Sequence, residues 1–85
     1  MNKKALEVLR EEIAELCFTE WQLWLRSSMP KIKEMDKMLK MRWVKLVATP
    51  YSCLSESDKV RPRMEAEAHI ELLKDLGILE EEEQC

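Results

Sequence analysis

The chain holds one glycine, Gly77, in 85 residues. Glycine supplies the positive backbone angles of hairpin turns and bulges, so strands joined by tight turns have almost nothing to be built with. The same scarcity excludes the glycine-rich loops that cradle phosphates in nucleotide-binding folds. Histidine is equally rare: His69 stands alone, which leaves zinc without a ligand set and a serine or cysteine triad without a supported base. The cysteines, Cys17, Cys53 and Cys85, are odd in number and have no C-x-x-C spacing. No disulfide framework is therefore expected, none is expected to act as a nucleophile, and a reducing cytoplasm is the simpler setting. No run approaches the roughly 20 apolar residues of a membrane span, and acids interrupt "MNKKALEVLREE" before a signal-peptide core can form. A soluble, cytoplasmic protein without a membrane association is expected.

What is present favours helix. Ala, Leu, Glu, Lys and Met dominate, all good helix formers, and charged residues make up 36% of the chain. The net charge of -3 gives no sequence-wide footprint for nucleic acid, which is not expected as a partner. A chain of this length forms one domain, expected over residues 1–79 with an acidic tail at 80–85. So short a chain buries only about 60–65% of its unfolded surface, and such proteins often rely on a partner subunit.

Periodicity places three helices. Leu6, Leu9, Ile13, Leu16 and Leu23 repeat at three- and four-residue steps from about Lys3 to Arg26, with Glu20 interrupting the row. A second stripe, Cys17, Phe18, Trp21, Trp24 and Leu25, widens the apolar face beyond what one partner helix covers. Met29-Pro30 is expected to end this helix, because the residue before proline is pushed out of the helical region. A second helix is expected from about Lys31 to Val47, with Ile32, Met35, Leu39, Trp43, Leu46 and Val47 on one face and Met38 and Met41 on its flank as pliable packing residues. Thr49-Pro50 stops it. Ser55 to Asp58 resembles a capping box with Asp in place of Glu, preceded by Leu54. Proline inside a helix costs about 3 kcal/mol, so a separate turn at 55–60 is expected, with a restart at Pro62. From there Ala66, Ile70, Leu73 and Leu76 form the buried line, with Met64 and Leu72 flanking, and Gly77 ends the helix with Ile78 folded back onto Leu73.

The chemistry-bearing patterns are few. Glu11-Glu12-Ile13-Ala14-Glu15 matches the EExxE signature of magnesium-dependent all-helical nucleotide pyrophosphohydrolases, but the companion ExxD is absent, since Glu71 and Asp75 stand one residue too far apart. These acids are expected to form a solvated face. Lys40, Arg42, Lys45, Lys59, Arg61 and Arg63 cluster on both sides of Pro50-Tyr51, a strip able to hold phosphates, although interleaved acids favour surface pairs. The Tyr51 hydroxyl is expected to tie the turn to a neighbouring helix.

Trp21-Gln22-Leu23-Trp24, Arg42-Trp43 and the run Pro50-Tyr51-Ser52-Cys53-Leu54-Ser55-Glu56, followed by Lys59, Arg63 and Ala66, together resemble a group of short helical proteins from phages and prophages. That group carries a His-x-x-Trp-x-x-Trp helix, a helix ending in Arg-Trp, and a Pro-Tyr-x-x-Leu-x-Glu-x-x-Lys turn leading to Asp-Arg. The likeness spans about residues 13 to 70. Phe18 stands where the group has histidine and Pro62 where it has aspartate, so a polar site built on those two residues is missing here. The group brings no established activity with it.

The expected fold is all-α: an antiparallel three-helix bundle with a short extra helical turn after Pro50-Tyr51 and an aromatic centre of Trp21, Trp24 and Trp43. The expected function is that of a non-enzymatic interaction protein, a homo-oligomer (a dimer first) that engages a host protein, with no cofactor and no metal. Tyr51, Arg42, Arg61 and Arg63 are the candidate ligand or partner contacts, and Leu9, Leu16, Met38 and Met41 the candidate oligomer interface. The alternatives are an oligomer that sequesters a nucleotide-like signal and the magnesium-dependent hydrolase on Glu11, Glu12 and Glu15.

Overall fold

Asn2 opens the first helix by taking the Ala5 amide on its side-chain oxygen at 2.8 Å, one of the bonds that a helix start leaves unmade. The structure, a computed structural model, describes residues 2–34 and 36–79. Those residues form α1 (Lys3–Ser28), a 3-10 turn (Met29–Lys31), α2 (Lys37–Val47), a second 3-10 turn (Tyr51–Cys53) and α3 (Glu56–Asp75), with no strand among them. At 1.5 Å per residue the helices measure roughly 39, 16 and 30 Å. α1 packs along α3, whereas the short α2 meets α1 near its C-terminal end. The tail expected at 80–85 lies outside the described residues, as does Met35.

The face that α1 turns inward differs from the longest apolar row. Ala14, Cys17, Phe18 and Leu25 are buried, with Trp21 half-buried beside them, while Leu16 and Leu23 are exposed and Leu6, Leu9 and Ile13 half-buried. The second stripe won because it carries the larger aromatic area and because Ala14, on the same side, shares the core with Ala66 of α3. Both alanines are fully buried, and small residues at a crossing let two helices approach closely. Ala14, Phe18, Tyr51, Leu54 and Ala66 form the core, and Ile13, Trp21 and Leu46 pack against it. Trp24 takes no part: it is 54% exposed, and the aromatic centre is Phe18, Trp21, Trp43 and Tyr51.

Two prolines act less severely than expected. α1 continues to Ser28 and Met29 keeps helical angles, with Pro30 accommodated in the first turn of Met29–Lys31, where its missing amide has no role. The chain leaves that turn at an extended Ile32, so α2 does not start at Lys31. It starts at Lys37, where the Asp36 carboxylate takes the Leu39 amide at 3.1 Å. Ile32 consequently lies off the α2 face. In α3 the expected break is absent, and Pro62 lies buried in the interior of one continuous helix. Arg63 bonds Glu56 at 2.6 Å across two turns, bracketing the proline, and burial of the ring offsets part of the lost backbone bond.

The end of α3 follows its sequence cues. Gly77 adopts φ +75°, its amide bonds the Lys74 carbonyl at 3.0 Å, and the Ile78 amide bonds the Leu73 carbonyl at 2.9 Å, the paired bonds of a Schellman stop. Ala66 and Ile70 are buried and Leu73 half-buried as expected, whereas Leu76, at the cap, is exposed.

Candidate functional site

The Pro-Tyr corner is built as a joint. Pro50 leads into the Tyr51–Cys53 turn, which lowers the buried Tyr51 ring against Phe18 at 6.2 Å. The Tyr51 hydroxyl donates to Glu11 Oε2 at 2.8 Å, tying the turn to α1. Arg63 grips the same carboxylate from α3, with Nη2 and Nε donating to Oε1 at 2.6 and 3.0 Å. These charged hydrogen bonds from Arg63, joined by that of Tyr51, hold the Glu11 carboxyl below the usual range against the opposing pull of burial. Burial, with the Glu11 carboxylate next to it, pushes the Tyr51 hydroxyl up. The Ser55 cap is present as read, its hydroxyl accepting the Asp58 amide at 3.3 Å. Lys59 lies over the Tyr51 ring at 5.3 Å.

Two α1 side chains close the far end of α2. Gln22 Nε2 reaches the carbonyls of Leu46, Val47 and Thr49 within 3.2 Å, and Arg26 donates to Val47 at 3.4 Å. Carbonyls at a helix C-terminus lack partners within the helix and carry partial negative charge, so an amide and a cation suit them. This role was not visible in the sequence. Its only trace is the polar Gln22 inside Trp21-Gln22-Leu23-Trp24.

Holding α2 there leaves a cleft of about 270 Å³ where it meets α1 and the start of α3. Phe18 and Trp21 stack with centroids 5.7 Å apart, Trp43 meets Trp21 edge-on at 6.3 Å, and Pro62 and Leu46 complete an apolar wall. The rim is charged: Arg42 bonds Asp58 at 2.9 Å and Arg61 lies 3.5 Å from Glu65. Cys17 also faces the cleft, but burial, reinforced by Glu65 and Glu20, pushes its thiol up, so it remains protonated near neutral pH and is a poor nucleophile.

The four candidate contacts therefore separate. Arg42 and Arg61 reach the cleft, while Tyr51 and Arg63 belong to the joint with Glu11. The EExxE acids also divide, because Glu11 is engaged by Arg63 and Tyr51 whereas Glu12 and Glu15 are exposed. Among the described residues no group of three His, Cys, Asp or Glu side chains is placed to hold a metal ion. His69 is exposed and turns Nδ1 to the Glu65 carbonyl at 2.7 Å. Among the candidate interface residues, Leu16, Met38 and Met41 are exposed and Leu9 is half-buried. No helix of the described residues is long and apolar enough to cross a membrane. Comparison with protein-family models, with curated proteins and with solved structures finds no match.

Proposed function

We propose that this chain is a non-enzymatic interaction protein that receives an apolar side chain of a partner protein in the cleft between Trp21, Trp43 and Pro62. In this reading it is an antiparallel three-helix bundle whose short second helix is held at one end, so that the cleft opens beside it. The observation that carries the proposal is the cleft itself, an apolar wall of Phe18, Trp21, Trp43, Leu46 and Pro62 under a charged rim, and the balance of apolar surface elsewhere supports it. Among the described residues eight hydrophobic ones are buried, whereas fourteen large ones stand exposed. A molecule that shows more large apolar side chains than it hides has surface suited to being covered by another. The partner segment that fits presents one aromatic or branched aliphatic anchor with charges around it, matching the Arg61 and Glu65 rim. A host protein is the partner that the likeness to phage-encoded helical proteins suggests.

The test is a peptide-display library selected on the intact protein, followed by titration of the enriched peptides with tryptophan fluorescence as readout. Enriched sequences should share an apolar anchor, shift the indole emission, and lose at least tenfold in affinity to Trp43→Ala. Binders indifferent to that substitution, or a selection that returns none, would sink the reading.

One observation favours a second reading, capture of a nucleotide-like ligand: Arg42 and Arg61 flank indole rings on which a base can stack. A nucleotide at a hundred times its Kd would stabilise the fold by about 2.7 kcal/mol, which for a domain of this size raises Tm by about 10 to 20 °C. A thermal-shift panel without added magnesium distinguishes the two.

A further inference from the structure

The face of α1 next to its buried one carries Leu9, Leu16 and Leu23, spaced by seven residues, with the half-buried Leu6 and Ile13 filling the alternate steps. Leu16 is 57% and Leu23 59% exposed. A row of this period along a helix of 26 residues is the seam of a two-helix coil; Ile13, at its inner edge, packs against the core, and Leu16 and Leu23 leave its outer side open. We propose that a second copy of this chain covers it, the two α1 helices lying antiparallel about a two-fold axis.

Three observations select a second copy. The first is area. The chain exposes 6817 Å² over its 85 residues, where a compact monomer of its mass exposes about 5300 Å². The excess, about 1500 Å², is what one subunit of an obligate homodimer hides. With the most surface that any six residues can carry subtracted, about 700 Å² still remains, close to one side of a standard interface. The second is register. Antiparallel seams set the two kinds of row position against each other, which brings Ile13 to Leu16 of the second copy and Leu6 to Leu23 of the second copy. That register centres the two-fold between Ile13 and Leu16, within about one residue of the midpoint of α1, so nearly the whole helix is overlapped. A self-complementary patch centred on its own axis is the form of an isologous contact.

The third is charge. Glu20 interrupts the apolar row, and a parallel in-register pair would set it against its own copy. The antiparallel register instead puts Glu20 beside Leu9 and Arg10 of the second copy. Arg10 is partly exposed and already pairs with Glu67 at 3.6 Å, so Glu20 of the second copy would share it with Glu67. The polar residue in the seam thus becomes a device that selects orientation.

Pairing through this face of α1 does not involve the cleft, and peptide binding is scored separately on every variant below. Sedimentation equilibrium of the intact protein at tens of micromolar should return twice 10.1 kDa. Leu16→Glu and Leu23→Lys, both at exposed positions, should each raise the dimer Kd at least a hundredfold with helical circular dichroism unchanged. Met41→Glu, on the exposed side of α2, should leave the Kd within threefold. Glu20→Arg should weaken the dimer about tenfold, and adding Arg10→Glu should restore it to within threefold. A monomer at 100 µM, a dimer that tolerates Leu16→Glu and Leu23→Lys, dissociation by Met41→Glu, or failure of the charge exchange to restore the dimer would each overturn the proposal.

Discussion

Replacing Arg63 with methionine keeps most of the side-chain volume and removes the guanidinium that joins α3 to α1. Four charged bonds disappear, at 2.6, 3.0 and 3.2 Å to Glu11 and at 2.6 Å to Glu56. Breaking a fully buried pair costs about 3–5 kcal/mol, and an exposed one about 0–1. The Arg63 side chain is 26% exposed and that of Glu11 37%, so the expected loss lies between, at about 2 kcal/mol. For a domain of this size that lowers Tm by about 8 to 16 °C. Thermal unfolding followed by circular dichroism, at fixed protein concentration and pH 7, measures it. The stricter test is a double-mutant cycle with Glu11→Gln. Once Arg63 is gone, neutralising Glu11 should cost little, giving a coupling of about 1–2 kcal/mol. Additivity within about 0.3 kcal/mol would mean that Arg63 and Glu11 form an ordinary surface pair, and the corner could not then be a joint that they hold.

Acid should weaken the same joint. Because Arg63 holds the Glu11 carboxyl low, the unfolded chain, with an ordinary glutamate near pKa 4.3, takes up the proton first. The contribution of Glu11 is complete above about pH 5 and is lost as pH falls through the folded-state value, so Tm should be level from pH 5.5 to 8 and drop below. Glu11→Gln should show a shallower acid slope, and an unchanged slope would refute the assignment. Ile70 is 1% exposed and Leu72 55%, so Ile70→Ala should cost about 2–5 kcal/mol in urea unfolding and Leu72→Ala less than about 1, an order that cannot reverse if α3 turns Ile70 inward. Gly77→Ala meets no atom within 4 Å, so its cost should be only the left-handed backbone strain, about 1–2 kcal/mol, and a larger loss would point to an unseen contact.

Much of the local structure was legible because its causes are local. The Ser55 cap, the Gly77 stop with Ile78 folded back, and the tie from the Tyr51 hydroxyl to a helix each depend on a few neighbouring residues or on one polar group that needs a partner when buried. The prolines misled for a related reason. A propensity penalty of about 3 kcal/mol argues for a break at Pro62, but it is a local figure, and the packing of Ala66 and Ile70 together with the Glu56–Arg63 bond outweighs it. The start of α2 shows the reverse: Asp36 caps a helix that the apolar pattern alone extended back to Lys31.

Of the candidate site, the sequence contained the residues but not their grouping. Arg42, Arg61, Arg63 and Tyr51 read as one cluster because they are near in sequence, and Glu11 read as solvated because it is far from them. Folding brings Glu11 across about 40 to 50 positions to capture Tyr51 and Arg63, and thereby leaves Arg42 and Arg61 to the cleft.

The amino-acid pattern by itself determined that this chain is helical and where most of its helices end, since backbone propensity, caps and the single glycine act within a turn or two of chain. Which stripe of α1 faces inward was decided only in three dimensions. Two apolar rows compete there, and the choice falls to the one where Ala14 shares the core with Ala66 and where Glu11, on the same side, finds two donors from distant parts of the chain.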